Sequence, residues 1–155
     1  MKKTTLSTDK QRPAELMGRY EFLINRPAQR IKEMTEKALQ PLKIGPKQYR
    51  ILVTLQSEGP ASQRAIGEIL KIDRSTMVLH IDDLEKKKLI VRKSDPKDRR
   101  YNLLHITNQG KQLLQQAQKL VKNAEQKFLA PLTAIETQEM RKLLSKLFED
   151  IPNNV

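Results

Sequence analysis

Residues 59–110 read GPASQRAIGEILKIDRSTMVLHIDDLEKKKLIVRKSDPKDRRYNLLHITNQG, and this stretch decides the fold. Ser62 is suited to cap a short helix running through Ile66, Ile69 and Leu70, and Asp73 to cap a second whose buried stripe is Met77, Ile81 and Leu84. Two short helices separated by a tight turn predict a helix-turn-helix. After Lys88 the pattern changes to Leu89-Ile90-Val91-Arg92, then the turn-rich SDPKD, then Arg99 to Ile106, which predicts a two-stranded β-hairpin with a long loop. Between Lys86 and Arg100 stand eight basic residues against two acidic ones, Asp95 and Asp98. Positive charge concentrated on a protruding loop suits phosphates, and an arginine at its tip suits a narrow minor groove. A solvated hairpin whose lysines protect a sheet edge is the alternative.

Upstream, Pro46 starts a helix carrying Tyr49, Ile51, Leu52 and Leu55 that the SEGP sequence stops. Before it, Leu16, Tyr20, Leu23, Ile24, Ile31, Met34 and Ala38 recur at helical spacing, with Pro27 in their midst predicting a kinked helix or two short ones. Residues 1–12 are polar and charged, and a loose tail is expected. Downstream, Leu113, Ala117, Leu120, Ala124 and Phe128 form a helical stripe ending at Pro131. Thr133 and Glu136 make a capping box for a last helix faced by Met140, Leu143, Leu144, Leu147 and Phe148. The expected fold is mainly α with a small β-hairpin wing.

A chain of 155 residues suits one compact unit. Its formal net charge of +12 calls for a polyanion, nucleic acid first. Hydrophobic residues make up 37%, or about 40% with glycine, below the usual ~45–50%. A core that thin is often completed by a second subunit. The absence of cysteine excludes disulfides and thiolate metal ligands. The opening MKKTTLSTDKQRP has a signal peptide's lysines without the apolar run behind them, and no long uncharged apolar stretch follows, so a cytoplasmic chain with no membrane role is expected.

Enzyme chemistry finds no support: Gly110-Lys111-Gln112 fails the phosphate-loop pattern, no GxSxG occurs, and no carboxylate pair stands out. His80 and His105 lack the spacing of a zinc site, so neither metal nor cofactor is expected, and His80 reads as a partly buried structural residue.

The 59–110 segment closely resembles the winged-helix core of the MarR family of transcriptional regulators. IDRST followed by LEKKKLI and DPKDRR at the family's spacing is the most specific part, and the likeness extends through IGPKQYRIL upstream and LAPLTAIETQEMRKLL downstream, about residues 13–149. The resemblance implies a homodimer with interlocked terminal helices and two winged lobes on a palindromic site of double-stranded DNA. It divides the chain into a dimerisation helix at 13–45, a winged helix-turn-helix at 46–106 and dimerisation helices at 107–151. A thin core with long amphipathic end helices agrees with that, although an intrachain bundle would give the same pattern. The implied activity is that of a repressor whose operator affinity changes when a small-molecule effector binds.

On the second helix of the motif, Arg74, Ser75, Thr76, Leu79 and Asp83 are expected to face outward. Arg74 suits phosphate or guanine, the hydroxyls of Ser75 and Thr76 suit base edges or phosphates, and Leu79 suits a thymine methyl. Ser62, Gln63 and Arg64 open the preceding helix, where free N–H groups favour phosphate. In the wing, the resemblance puts Arg100 in the minor groove, oriented by Asp98, with Lys97 and Arg99 near the backbone. An effector pocket would lie near Tyr20, Leu23, Ile24 and Tyr49, residues that equally suit plain core.

Three departures from the family pattern are visible. Leu79 and Asp83 stand where a basic residue is common. Lys71 and Lys88 replace helix-ending glycines, predicting a positive φ at both. Gly45 replaces a capping threonine. Leu79, Asp82 and Asp83 also leave room for another class, a winged-helix interaction module binding a protein partner or RNA.

Overall fold

The computed structural model describes residues 18–98 and 100–149. The expected tail at 1–12, Leu16 and Arg99 lie outside them. The described chain runs α1 (Tyr20–Leu39), a 3-10 turn (Gln40–Leu42), α2 (Pro46–Glu58), β1 (Ala61–Ser62), α3 (Gln63–Leu70), α4 (Arg74–Lys86), β2 (Ile90–Ser94), β3 (Asn102–Ile106), α5 (Asn108–Leu129) and α6 (Ala134–Glu149).

The helix starts obey local chemistry. Ser62 Oγ accepts from Ala65 N at 3.1 Å, Asp73 Oδ1 from Thr76 N at 2.9 Å, and Thr107 Oγ1 from Gly110 N at 3.0 Å. Thr133 and Glu136 cap each other reciprocally. At α2, Gly45 N donates to Gln48 Oε1 at 3.0 Å, so the box is closed from the glutamine side alone. Lys71 and Lys88 have φ of 52° and 60°, as their glycine-like positions require, and Lys43 adds a third left-handed turn at 54°.

The wing has three strands where two were expected. Ala61 and Ser62 pair with Leu104 and Leu103 on the free edge of β3, giving the order β1-β3-β2, antiparallel throughout. Two residues are too few to show alternation, and one of them is also the cap of α3. Helix α1 runs unbroken past Pro27, against the alternative of two short helices. Pro27 and Leu23 are both exposed, so water can serve the Leu23 carbonyl that proline's missing N–H leaves unpaired.

The core is built where the DNA-reading motif was expected. Met77, Ile81 and Leu84 of α4 are buried with Leu39, Ile51, Leu52, Ile66, Leu89, Ile90, Leu104 and Leu114. Ile69 is exposed instead, on the outer side of α3. On α5 the buried line is Gly110, Leu114, Ala117, Val121 and Ala124, with Leu113, Leu120 and Phe128 half-buried beside it. The helix carries two adjacent apolar stripes, and only one of them packs inward, chiefly on α1 and α2. Helix α6 buries no residue, and Phe148 is 80% exposed at its end.

Candidate nucleic-acid interface

Asp73 fixes where α4 begins. Its carboxylate takes hydrogen bonds from Thr76 above all, and Ser75 Oγ also donates to it at 3.1 Å, which lowers its pKa to about 2. A carboxyl depressed in the folded chain contributes stability that is complete above its unfolded pKa of about 4 and is lost as pH falls towards 2. Asp73→Asn, which keeps an accepting oxygen but cannot titrate, is expected to flatten that part of the acid limb in urea midpoints measured against pH. An unchanged acid limb would assign the effect to other carboxylates.

Beyond the cap, Arg74, Ser75, Val78, Leu79 and Asp82 are exposed, Thr76 is half-buried, and Leu79 is 70% exposed. Asp83 does not face freely outward as expected. Gln48 Nε2 donates to its Oδ2 at 2.6 Å and Lys87 Nζ donates to the same oxygen, while Lys87 Nζ also donates to the Lys43 carbonyl at 2.7 Å. The Lys87 hydrogen bond first, then that of Gln48, holds the Asp83 pKa below the usual carboxylate range. Asp83 is therefore an internal strut joining α4 to the start of α2 and to the left-handed turn behind α1.

Asp82 is spoken for as well. Arg92 of β2 donates from Nη2 to Asp82 Oδ1 at 2.6 Å and from Nη1 to Glu85 Oε2, and its backbone N–H reaches Glu85 Oε1 at 3.2 Å. Of the eight basic residues counted near the wing, Arg92 is thus bound inward, bracing the strand against α4. His80 is half-buried, its pKa lowered by burial first and then by Lys47, in keeping with a structural role.

The wing loop organises itself. Asp95 N donates to Tyr101 O at 2.8 Å, Tyr101 N to Asp98 O at 3.0 Å, and Lys97 N to Asp95 Oδ1 at 2.8 Å. Asp98 accepts from the Arg100 backbone at 3.1 Å and from its guanidinium at 3.0, 3.2 and 2.7 Å. The pair is in place, and Arg100 projects from it exposed, as does Lys97. On α3, Ser62 is engaged as cap, Gln63 is half-buried, and exposed Arg64 pairs with Glu68 at 2.8 Å, a contact loose enough for a phosphate to displace. Gln63, Arg64 and Arg74 line a common groove between α3 and α4.

Of the four residues named for an effector pocket, Tyr20, Leu23 and Ile24 share one face of α1. They are exposed on its first turns, so they are not core of this chain, and Tyr49 is half-buried on α2. Ile24 alone of the four lines an open apolar cleft with Ile31, Phe128, Met140 and Leu144, between α1, α5 and α6. Sequence reasoning missed Gln48, Lys43, Lys87 and Arg92 as struts. Gln48 three residues after Gly45 carried a signal, the glutamine half of a capping box, but its bond to Asp83 spans thirty-five residues and has no local trace.

A helix pair with an outward-facing second helix, backed by a three-stranded wing with a charged loop, defines a winged helix-turn-helix protein. The MarR family model matches residues 44–101. A protein of Thauera aromatica named for transcriptional regulation of the hcr operon is 34% identical over 115 residues, covering 72% of this chain and 69% of that one. The transcriptional repressor CouR bound to a 23-mer DNA duplex superposes with a TM-score of 0.82 at 27% identity, over 89% of this chain and 98% of that one. CouR from Rhodococcus jostii RHA1 bound to p-coumaroyl-CoA gives 0.74 at 28% identity, over 85% and 93%. The chain belongs to the MarR family of transcriptional regulators. Among the described residues no helix is long and apolar enough to cross a membrane.

Proposed function

We propose that this protein is a cytoplasmic, sequence-specific repressor that binds a palindromic operator in double-stranded DNA as a homodimer and responds to a small-molecule effector. The observation that carries the reading is the bracing of α4 to β2, a strand of the wing whose loop carries Arg100, through Arg92, on a chain of net charge +12. One such unit offers a helix for the major groove and an arginine for the groove beside it. Helix α6, with no buried residue and with Leu143, Leu144, Leu147 and Phe148 exposed, supplies an apolar face for a second copy. That CouR is found both with DNA and with p-coumaroyl-CoA supports effector control, and the cleft around Ile24 and Phe128 offers apolar room for a ligand.

The interaction-module alternative loses part of its basis, because Asp82 and Asp83 are occupied by Arg92, Lys87 and Gln48. The test is titration of the full chain onto the promoter duplex beside its own gene and onto a scrambled duplex, across a salt series, with complex mass measured by sedimentation. Two subunits per site with a strong preference for the promoter are expected. Equal, steeply salt-dependent binding to both would sink the operator reading and favour the module.

A further inference from the structure

We infer that this protein reads its half-site in the major groove chiefly through thymine C5-methyl groups packed against Leu79, in place of an arginine-to-guanine contact. The inference rests on the DNA-binding reading above and names the chemistry by which that site would choose its sequence.

Leu79 is 70% exposed at the middle of α4, and its neighbour Val78 is also exposed. A leucine so placed on a motif helix, whose buried stripe is already complete with Met77, Ile81 and Leu84, is surplus to the core. The polar groups that would otherwise read bases on this helix are few or engaged. Asp82 is held by Arg92, Asp83 by Lys87 and Gln48, and Ser75 Oγ donates to Asp73. The basic residues of α4 are Arg74 in its first turn and Lys86 at its last, twelve positions and about 18 Å apart. Between them the exposed positions are Ser75, Val78, Leu79 and Asp82, with Thr76 and His80 half-buried. Ser75 and Asp82 are hydrogen-bonded within the chain, which leaves the methyl groups of Val78 and Leu79 as the exposed uncommitted surface.

In the major groove the hydrophobic feature of unmodified DNA is the C5-methyl of thymine, and apolar side chains are its natural partner. Tying Asp83 down also removes the objection to the contact, since a free carboxylate one turn beyond Leu79 would face the same electron-rich base edges and phosphates.

The experiment exploits deoxyuridine, which lacks the C5-methyl but leaves pairing, phosphates and the minor-groove edge unchanged. A duplex is selected from a randomised pool by the full-length protein and resynthesised with each symmetry-related pair of thymines replaced by deoxyuridine. For at least one pair, affinity is expected to fall about fifteenfold, from ~0.8 kcal/mol or roughly fourfold per buried methyl at two half-sites. Leu79→Ala should bind the thymine and deoxyuridine duplexes alike, while Leu79→Met, still apolar, should keep the discrimination. Melting temperatures of both variants matching the parent would establish that the exposed position leaves folding intact.

If every deoxyuridine duplex binds within twofold of the parent, or if Leu79→Ala retains the full discrimination, methyl reading by Leu79 is overturned while the regulator reading stands. If the pool yields no enriched sequence at all, both fall together.

Discussion

Replacing Arg100 with alanine is expected to weaken binding to the operator by on the order of 100-fold, from about 1.4 kcal/mol at each of two wings, the lower part of the ~1–3 kcal/mol range for an arginine contact. The loss should be larger for duplexes with A·T pairs under the wing than for G·C-rich ones, because a narrow A·T minor groove concentrates negative potential. Arg100 is exposed, and its partner Asp98 already orients it through three guanidinium contacts of 2.7–3.2 Å. Asp98→Ala should therefore cost less than Arg100→Ala, since the charge survives and only its aim is lost. Equilibrium titrations of both variants on operator and scrambled duplex over a salt series would check this. Arg100→Ala affinity within threefold of the parent would remove the wing from the interface.

The second large effect falls on stability. Gly110→Ala places a Cβ 2.1 Å from the Leu89 carbonyl oxygen and 2.9 Å from Ile106 Cγ1, distances no relaxed structure holds. The carbonyl cannot simply retreat, because Thr107 N donates to it at 3.0 Å and the Thr107 hydroxyl, shared with the Lys88 carbonyl at 2.8 Å, lies 3.1 Å from it. The substitution must push the first turn of α5 off the root of the wing. A destabilisation of about 3 kcal/mol or more is expected, the upper end for overpacking, with a melting-temperature drop of roughly 6–12 °C. Gly45→Ala is the control, since a methyl group there would meet nothing within 4 Å, and it should shift melting by only a degree or two. Equal melting of Gly110→Ala and the parent would show that the α5 start yields easily.

What is legible in the sequence is whatever has a local cause. Ser62, Asp73 and Thr133 announce their helices because a capping side chain acts within three residues, and Met77, Ile81 and Leu84 announce a buried face because spacing alone sets it. Lysines at 71 and 88 can be assigned a left-handed backbone because the family resemblance places helix-ending glycines there. The Asp98–Arg100 pair lies within one turn of chain and follows from the family resemblance. Tertiary partners leave no such trace. Asp83 reads as an outward acid until Gln48 and Lys87 close on it, Arg92 reads as one more wing cation, and Gly110 gives no local sign of the Leu89 carbonyl that lies over it. The α5 stripe is displaced by one position because the helix has two apolar lines, and composition cannot say which of them meets its own chain.

The Arg92 brace has a mechanical consequence for the duplex. With Arg92 held by both Asp82 and Glu85, α4 and the root of the wing share one rigid frame, and the separation between them is fixed by the protein. A duplex engaged by both must bring its two grooves to that separation, so the work of fitting falls on the DNA. Base steps that bend or narrow easily make that work small, and stiff ones make it large, whether or not any side chain touches them. Part of the sequence preference of such a frame would then reside in the elasticity of base pairs lying between the contacts.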